Sequence, residues 1–133
     1  MSLDPLDLPD GAMQLLRERH LATLTTMRSD RTPHVVPVGF TFDPGDGLAR
    51  VITSGDSVKA RNAAREGAVA ALCSVDGARW ITLSGPARID ADPAVVREAE
   101  RRYAERYRQP RPNPKRVALL VEVTAVLASS TFG

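Results

Sequence analysis

Residues 50–62, RVITSGDSVKARN, read as a strand that ends in small hydroxyl residues, a short Gly/Ser turn, and a helix start carrying Lys59, Arg61 and Asn62. Such a junction brings free backbone N–H groups and the positive end of a helix to one place, which is how a chain holds an anion. The expected guest is a phosphorylated cofactor. Lys59 is notable by composition: the chain has 16 arginines and only two lysines, Lys59 and Lys115. A compact ammonium and a planar guanidinium are different phosphate ligands, so a lysine kept in this turn points to a role that depends on its shape.

Upstream, HLATLTTMR (20–28), PHVVPVGFTFD (33–43) and LARVITS (48–54) are rich in Val, Ile, Thr and Phe, and SDRT (29–32) and PGDG (44–47) separate them as hairpin turns. Before them, LDLPDGAMQLLRERH (6–20) predicts a short helix, with Asp7 as its cap, Pro9 near the first turn, and Met13, Leu15 and Leu16 as its apolar contacts. Downstream, AVAALCSVD (68–76) and ARWITLSGPARID (78–90) form a hairpin around Asp76-Gly77. Asp92-Pro93 then opens an amphipathic helix whose stripe is Val96, Ala99, Tyr103 and Tyr107. QPRPNP (109–114) breaks that helix, and KRVALLVEVTAVLAS (115–129) is expected as one last long strand. Six antiparallel strands with peripheral helices predict a mainly β fold, a closed or half-closed barrel rather than a βαβ sheet, in a single domain over residues 1–133.

Composition sets the outer limits. The hydrophobic fraction is 43%, the charged fraction 26% and the net charge +2, values of a soluble globular chain. Basic residues are interspersed with acidic ones except in RQPRPNPKR (108–116), so no contiguous basic face points to nucleic acid. No apolar run approaches the length of a membrane span, no leader pattern is present, and the cytoplasm is the expected compartment. Cys73 is the single cysteine, in apolar surroundings that favour a buried structural thiol over a nucleophile. No metal-ligand spacing, paired catalytic carboxylates or Ser-His-Asp order stands out.

In order and content these motifs resemble the split β-barrel flavin and deazaflavin oxidoreductases, relatives of pyridoxamine 5′-phosphate oxidase. The marks are LATLTTMRSDRTPHVVPVGFTFD (21–43), RVITSGDSVKARN (50–62) and DGARWITLSGPARID (76–90), and the likeness runs over about residues 13–128. RHLATLTT (19–26), VDGARW (75–80) and RYAERYRQPRPNPKRV (102–117) resemble the branch of small actinobacterial proteins that use the deazaflavin coenzyme F420, biliverdin reductases among them. The resemblance implies a six-stranded split barrel and a homodimer with each cofactor in a groove between subunits. It implies that His34, Pro37 and Val38 border the cofactor's ring and that Thr53, Ser54, Lys59, Arg61 and Asn62 hold its phosphate. Arg79 and Trp80 would approach from the other subunit. FMN-binding members usually spread their phosphate contacts over further Arg and Lys side chains, with an aromatic or Gln contact from the partner subunit, and that full set is not placed in this sequence, so F420 is the expected cofactor and FMN the alternative.

The implied reaction is hydride transfer from reduced deazaflavin to a conjugated acceptor such as a bilin. Its propionates, like the cofactor's phosphate and glutamyl tail, are anionic and suit an arginine-rich groove. Arg108, Arg111, Lys115 and Arg116 are the candidate substrate ligands, with Arg79 a further one, and solvated surface charges are the alternative for them. His34 offers a group that titrates near neutrality, against a hydrogen-bonded structural histidine, which is also the reading of His20. Trp80 stacks on a ring or anchors a core or dimer interface. Tyr103 and Tyr107 are read as packing residues. No side chain is singled out as proton donor. An FMN oxidase, and a module that only stores or senses F420, haem or a bilin, are the competing functions.

Overall fold

The twelve residues Arg79–Asp90 form one strand, β7, on which two sheets meet. The computed structural model describes residues 1–132. In chain order these are β1 (Ser2–Leu3), α1 (Asp10–Arg17), β2 (Ala22–Met27), β3 (Pro33–Val38), β4 (Thr41–Asp43), β5 (Leu48–Ser54), α2 (Val58–Ala63), β6 (Val69–Asp76), β7, α3 (Pro93–Arg106), β8 (Arg116–Glu122) and β9 (Ala125–Ala128), then a 3-10 turn at Ser130–Phe132. All strand pairs are antiparallel, in the order β3-β2-β6-β7-β8-β5-β4, with β9 beside the first half of β7 and β1 on β9. The mainly β architecture is as expected, and the sheet does not close.

Each of the six expected β segments is β structure, but two of them divide. PHVVPVGFTFD splits at Gly39-Phe40 into β3 and β4. KRVALLVEVTAVLAS is two strands rather than one: β8 pairs with β5 and the second half of β7, whereas β9 pairs with Ile81–Ser84 in its first half. The cause is visible at Gly85, where a Cβ would lie 1.8 Å from the carbonyl oxygen of Glu122. Only a glycine lets β7 pass so close to the chain that leaves β8, and there the last segment steps from one sheet to the other. Thr124 N–H marks the step by donating to the Ser84 carbonyl at 2.9 Å.

Helix ends follow the sequence at one place and depart at another. Asp92 caps α3, accepting from the Ala94 N–H at 2.8 Å, with Pro93 at the first helical position. Asp7 does not cap α1. Pro9 occupies the N-cap in an extended conformation with no side-chain cap, which leaves Asp7 two residues short of the helix, in a turn where its N–H bonds the Asp4 carbonyl.

Inside, Leu15, Leu24, Phe40, Leu72, Ile81, Leu83 and Leu119 are almost completely buried, each side chain contributing about 1.5–3 kcal/mol of hydrophobic stabilisation. Helix α3 covers a second, smaller cluster of Ala99, Ala118 and Leu120. The opposite face of the β3-β2-β6-β7-β9 sheet is different. Register places Pro37, Thr23, Cys73, Thr82 and Leu127 in one row and Val35, Thr25, Ala71, Ser84 and Ala125 in the next. Neither row carries a formal charge, and Val35 and Leu127 are half exposed on it. Cys73 lies in this face, half-buried, rather than in the core.

Candidate functional site

Where the end of β3, the middle of β5, the start of α2 and the segment after α3 converge, a cavity of about 420 Å³ opens. One wall is backbone and apolar surface: Pro37, Val38 and Gly39, with Ile52. The other is Tyr103 and the run Arg108–Arg111, and Lys59 and Arg116 line the cavity as well. No lining residue is acidic.

The local folding of residues 53–59 explains how Lys59 reaches this cavity. Ser57 is the N-cap of α2 and accepts from the Ala60 N–H at 3.2 Å, and its hydroxyl is 3.0 Å from that of Thr53. Ser54 accepts from Asn113 Nδ2 at 2.8 Å, which ties the turn to the segment that follows α3. Thr53 and Ser54 therefore build the turn with their hydroxyls. Gly55 N–H bonds the Lys115 carbonyl at 2.8 Å and completes the anchorage. Lys59 follows, half-buried, with no ion pair among the described residues.

Of the arginines, Arg108 and Arg111 line the cavity and also lack an ion-pair partner among the described residues. Arg116 lines it as well, but its charge is used: Nη1 meets Glu100 at 2.7 Å and Nη2 donates to the Arg111 carbonyl at 2.8 Å. It fixes the backbone that carries Arg111. Lys115 is exposed outside the lining and faces Asp56 at 3.5 Å. The electrostatic result is three cations, Lys59, Arg108 and Arg111, around one cavity without a neutralising carboxylate in its walls.

The remaining expected residues stand elsewhere. Arg61 is exposed on α2 and does not line the cavity. Asn62 is buried, and its amide is used within the protein: Nδ2 donates to Thr26 Oγ1 at 3.0 Å and Oδ1 accepts from Arg65 at 2.9 Å. His34, near the start of β3, has a buried Nδ1 with no hydrogen-bond partner. Trp80 lies on the uncharged sheet face opposite Val75, its backbone N–H on the Ser129 hydroxyl. Arg79 pairs with Asp76 and with Glu18 at 3.2 Å, and His20 Nε2 is 3.3 Å from Glu18. These contacts hold the Glu18 and Asp76 carboxyls below their ordinary range, chiefly the His20 hydrogen bond for Glu18 and the Arg79 hydrogen bond for Asp76. Glu18, His20 and Asp76 are close enough for a metal ion, but the Arg79 guanidinium already supplies the positive charge both carboxylates meet.

Sequence reading did not assign Gly39, Ile52, Gln109 and Pro110 to the site, and it gave Tyr103 to packing. Tyr103 does both: its ring packs 4.9 Å from that of Tyr107 and borders the cavity. The available signal was position, since Tyr103 lies one turn before the helix end that delivers Arg108.

The chain is similar to known proteins over nearly its whole length. The chain is 58% identical over 123 residues, 92% of its length and 89% of the relative's, to the F420H2-dependent biliverdin reductase of Mycobacterium tuberculosis (strain CDC 1551 / Oshkosh). A solved F420 reductase is 26% identical with a TM-score of 0.71, covering 90% of this chain and 98% of that one. A conserved hypothetical protein of Mycobacterium tuberculosis, 20% identical, has the same fold with a TM-score of 0.74 over 97% of this chain and 89% of that one. The pattern of the family described as pyridoxamine 5′-phosphate oxidase matches residues 8–130, nearly the whole length on which β3, the Lys59 turn and β7 are laid out, and the chain belongs to that family.

Proposed function

We propose that this chain is an F420-dependent reductase that delivers a hydride to a conjugated, anionic acceptor of the biliverdin class, yielding the bilirubin type of product. One observation carries the reading: Lys59, Arg108 and Arg111 surround a cavity with no acid in its lining, between the apolar wall of Pro37 and Val38 and the ring of Tyr103. A molecule that joins a planar ring to a phosphate and carboxylates is what such a cavity complements, and the names of the 58% identical relative and of the F420 reductase support the assignment.

When bound, the reduced coenzyme supplies the hydride from C5 of its ring. The protein's part is placement. Lys59 would hold the phosphate as a point charge, from a turn in which the Ser54 hydroxyl, outside the cavity lining, accepts from Asn113 and keeps its own hydrogen to donate. Pro37 and Val38 give the ring an apolar bed, and Arg108 and Arg111 meet carboxylates of the acceptor or of the coenzyme tail by paired N–H donors. The hydride goes to the central methine carbon of the acceptor and a proton to a pyrrole nitrogen; the lining holds no carboxylic acid and no imidazole, and no side chain is assigned as the proton donor.

The working form is a homodimer in the cytoplasm, in this reading, with two uncharged sheet faces together and Trp80 and Arg79 of each chain brought towards the other's groove. An uncharged sheet face with Val35, Val75 and Leu127 exposed on it suits an interaction surface, and a lone reduced cysteine suits a reducing compartment.

Fluorescence titration with F420, and separately with FMN, tests the reading, followed by biliverdin added to the reduced complex. Micromolar F420 binding with weak FMN binding and the appearance of bilirubin absorbance is the expected result. Tight FMN binding with no F420 binding moves the chain to the oxidase type of its family, and F420 binding without turnover makes it a carrier.

A further inference from the structure

Phe40, between β3 and β4, has both polar groups of its backbone held by the end of α3. Its N–H donates to the Tyr107 hydroxyl at 3.1 Å, and its carbonyl accepts from Arg106 Nη1 at 2.5 Å. The Tyr107 hydroxyl donates onward to the His20 carbonyl at 2.7 Å. Arg106 reaches the end of α1 as well, with Nε on the Glu18 carbonyl at 2.8 Å and Nη2 on that of Leu15 at 3.3 Å. Its guanidinium lies 4.7 Å from the centre of the Phe40 ring and 5.1 Å from that of Tyr107. No carboxylate meets Arg106 among the described residues; its donors are spent on backbone carbonyls.

This clasp joins the two walls of the cavity. Phe40 directly follows Pro37, Val38 and Gly39 on one wall, and Tyr107 lies between Tyr103 and Arg108 on the other. Packing is tight at the joint: a Cβ on Gly39 would lie 2.9 Å from the Tyr103 ring and 3.0 Å from the Tyr107 ring. The rings rest on bare backbone, and neither wall can approach the other further.

We propose that Tyr107 and Arg106 are positioning residues for the cavity: through Phe40 they fix the distance from the Pro37–Gly39 wall to Tyr103 and Arg108, and so let one bound molecule meet the apolar wall and the cations together. They touch neither coenzyme nor acceptor. Resting on the reductase reading, this extends the functional unit to side chains that do not line this cavity, and it assigns the tyrosine pair two separate tasks, Tyr103 as surface and Tyr107 as spacer.

Tyr107→Phe removes the hydroxyl and keeps the ring, and Asp92→Ala, at the far end of α3, serves as a control that weakens the same helix. Expected for Tyr107→Phe is an F420 dissociation constant raised about five- to tenfold, the loss of one well-made hydrogen bond, with kcat at saturating coenzyme and acceptor within about twofold of the parent. Asp92→Ala should lower the thermal midpoint at least as much and leave the dissociation constant unchanged. In the unliganded protein, hydrogen exchange at the Val38 and Gly39 amides should quicken in Tyr107→Phe and not in Asp92→Ala. Unchanged coenzyme affinity and unchanged exchange in Tyr107→Phe, or equal losses in the two variants, overturn the proposal. If the parent protein binds no F420, the reductase reading falls on its own, and the exchange measurement still decides the clasp.

Discussion

The side-chain amide of Asn62 donates to the buried hydroxyl of Thr26 at 3.0 Å, across 36 positions of sequence, and this bond pins α2 to β2. Lys59, one turn earlier on the same short helix, owes its place at the cavity to that anchor. Asn62→Ala should therefore cost about 1–3 kcal/mol of stability in urea unfolding, the price of a buried donor pair broken on one side. Its F420 affinity should fall much less than that of Lys59→Ala, which loses a charge-assisted contact and about tenfold to a hundredfold in binding. Equal affinity losses in the two variants, with Asn62→Ala fully stable, would return Asn62 to the ligand set.

Gly85 admits no side chain where β7 passes Glu122. The obstacle there is backbone rather than the flexible end of a side chain, so relief requires a shift of the strand crossing. Gly85→Ala is expected to destabilise by about 3 kcal/mol, at the upper end of ordinary overpacking. Chemical denaturation measures it, and a loss under about 0.5 kcal/mol, the scale of a surface substitution, would show that β7 and β8 can part without penalty.

Acid should loosen the covering helix α3. Glu98 is held at about 2, well below the ordinary carboxyl value of 4.5, first by the Arg101 hydrogen bond and then by that of Arg102. Asp43 is lowered as well, chiefly by Arg102, which bridges it at 2.9 Å to α3. A carboxyl with a depressed folded pKa binds fewer protons folded than unfolded, so its contribution is full above about pH 4.5 and is lost as the pH falls towards 2. Solvent screens each of these half-exposed pairs, and each one contributes little. Unfolding midpoints measured from pH 5 to pH 2.5 should fall, and Glu98→Gln should flatten that slope while lowering stability at neutral pH. A slope identical in parent and variant would remove Glu98 from the account.

Val35 and Leu127 stand half exposed in a sheet face that carries no charge in its two central rows. If two such faces pack together, a carboxylate at either position is buried without a partner. Val35→Glu and Leu127→Glu should shift light-scattering mass from twice the chain mass of 14.4 kDa to that mass itself. A parent protein that is monomeric at working concentration would refute the face-to-face arrangement.

Much of the fold was legible because its signals are local. Alternating Val, Ile and Thr runs between SDRT, PGDG and Asp76-Gly77 mark strands and hairpins, and Asp92-Pro93 marks the start of α3. The break between β8 and β9 was not legible, since KRVALLVEVTAVLAS has no turn residue in it; the break is imposed by Gly85, some 37 positions before Glu122. The site divides the same way. Lys59, Arg108 and Arg111, read as ligands from charge and from the junction before α2, line one cavity, whereas Arg116 and Lys115, read on the same grounds, pair with Glu100 and Asp56, and Asn62, read with its cationic neighbours, bonds within the protein. Its actual partner, Thr26, lies on another strand. Tyr107 and Arg106 read as helix stripe and helix surface, and only their meeting with Phe40 shows what they join.

The shared strand β7 also orders the events of folding. It meets β6 through the adjoining turn at Asp76–Arg79, a hairpin that forms in about 1–10 μs once its chain is free. Its later partners, β8 and β9, lie beyond α3 and must close far longer loops, and the pairing of Ser2 with Leu127 spans almost the whole chain. The β6–β7 hairpin, like β2–β3 and β4–β5, is therefore expected to form early, and β1, with only two residues on β9, to be added late and to fray first.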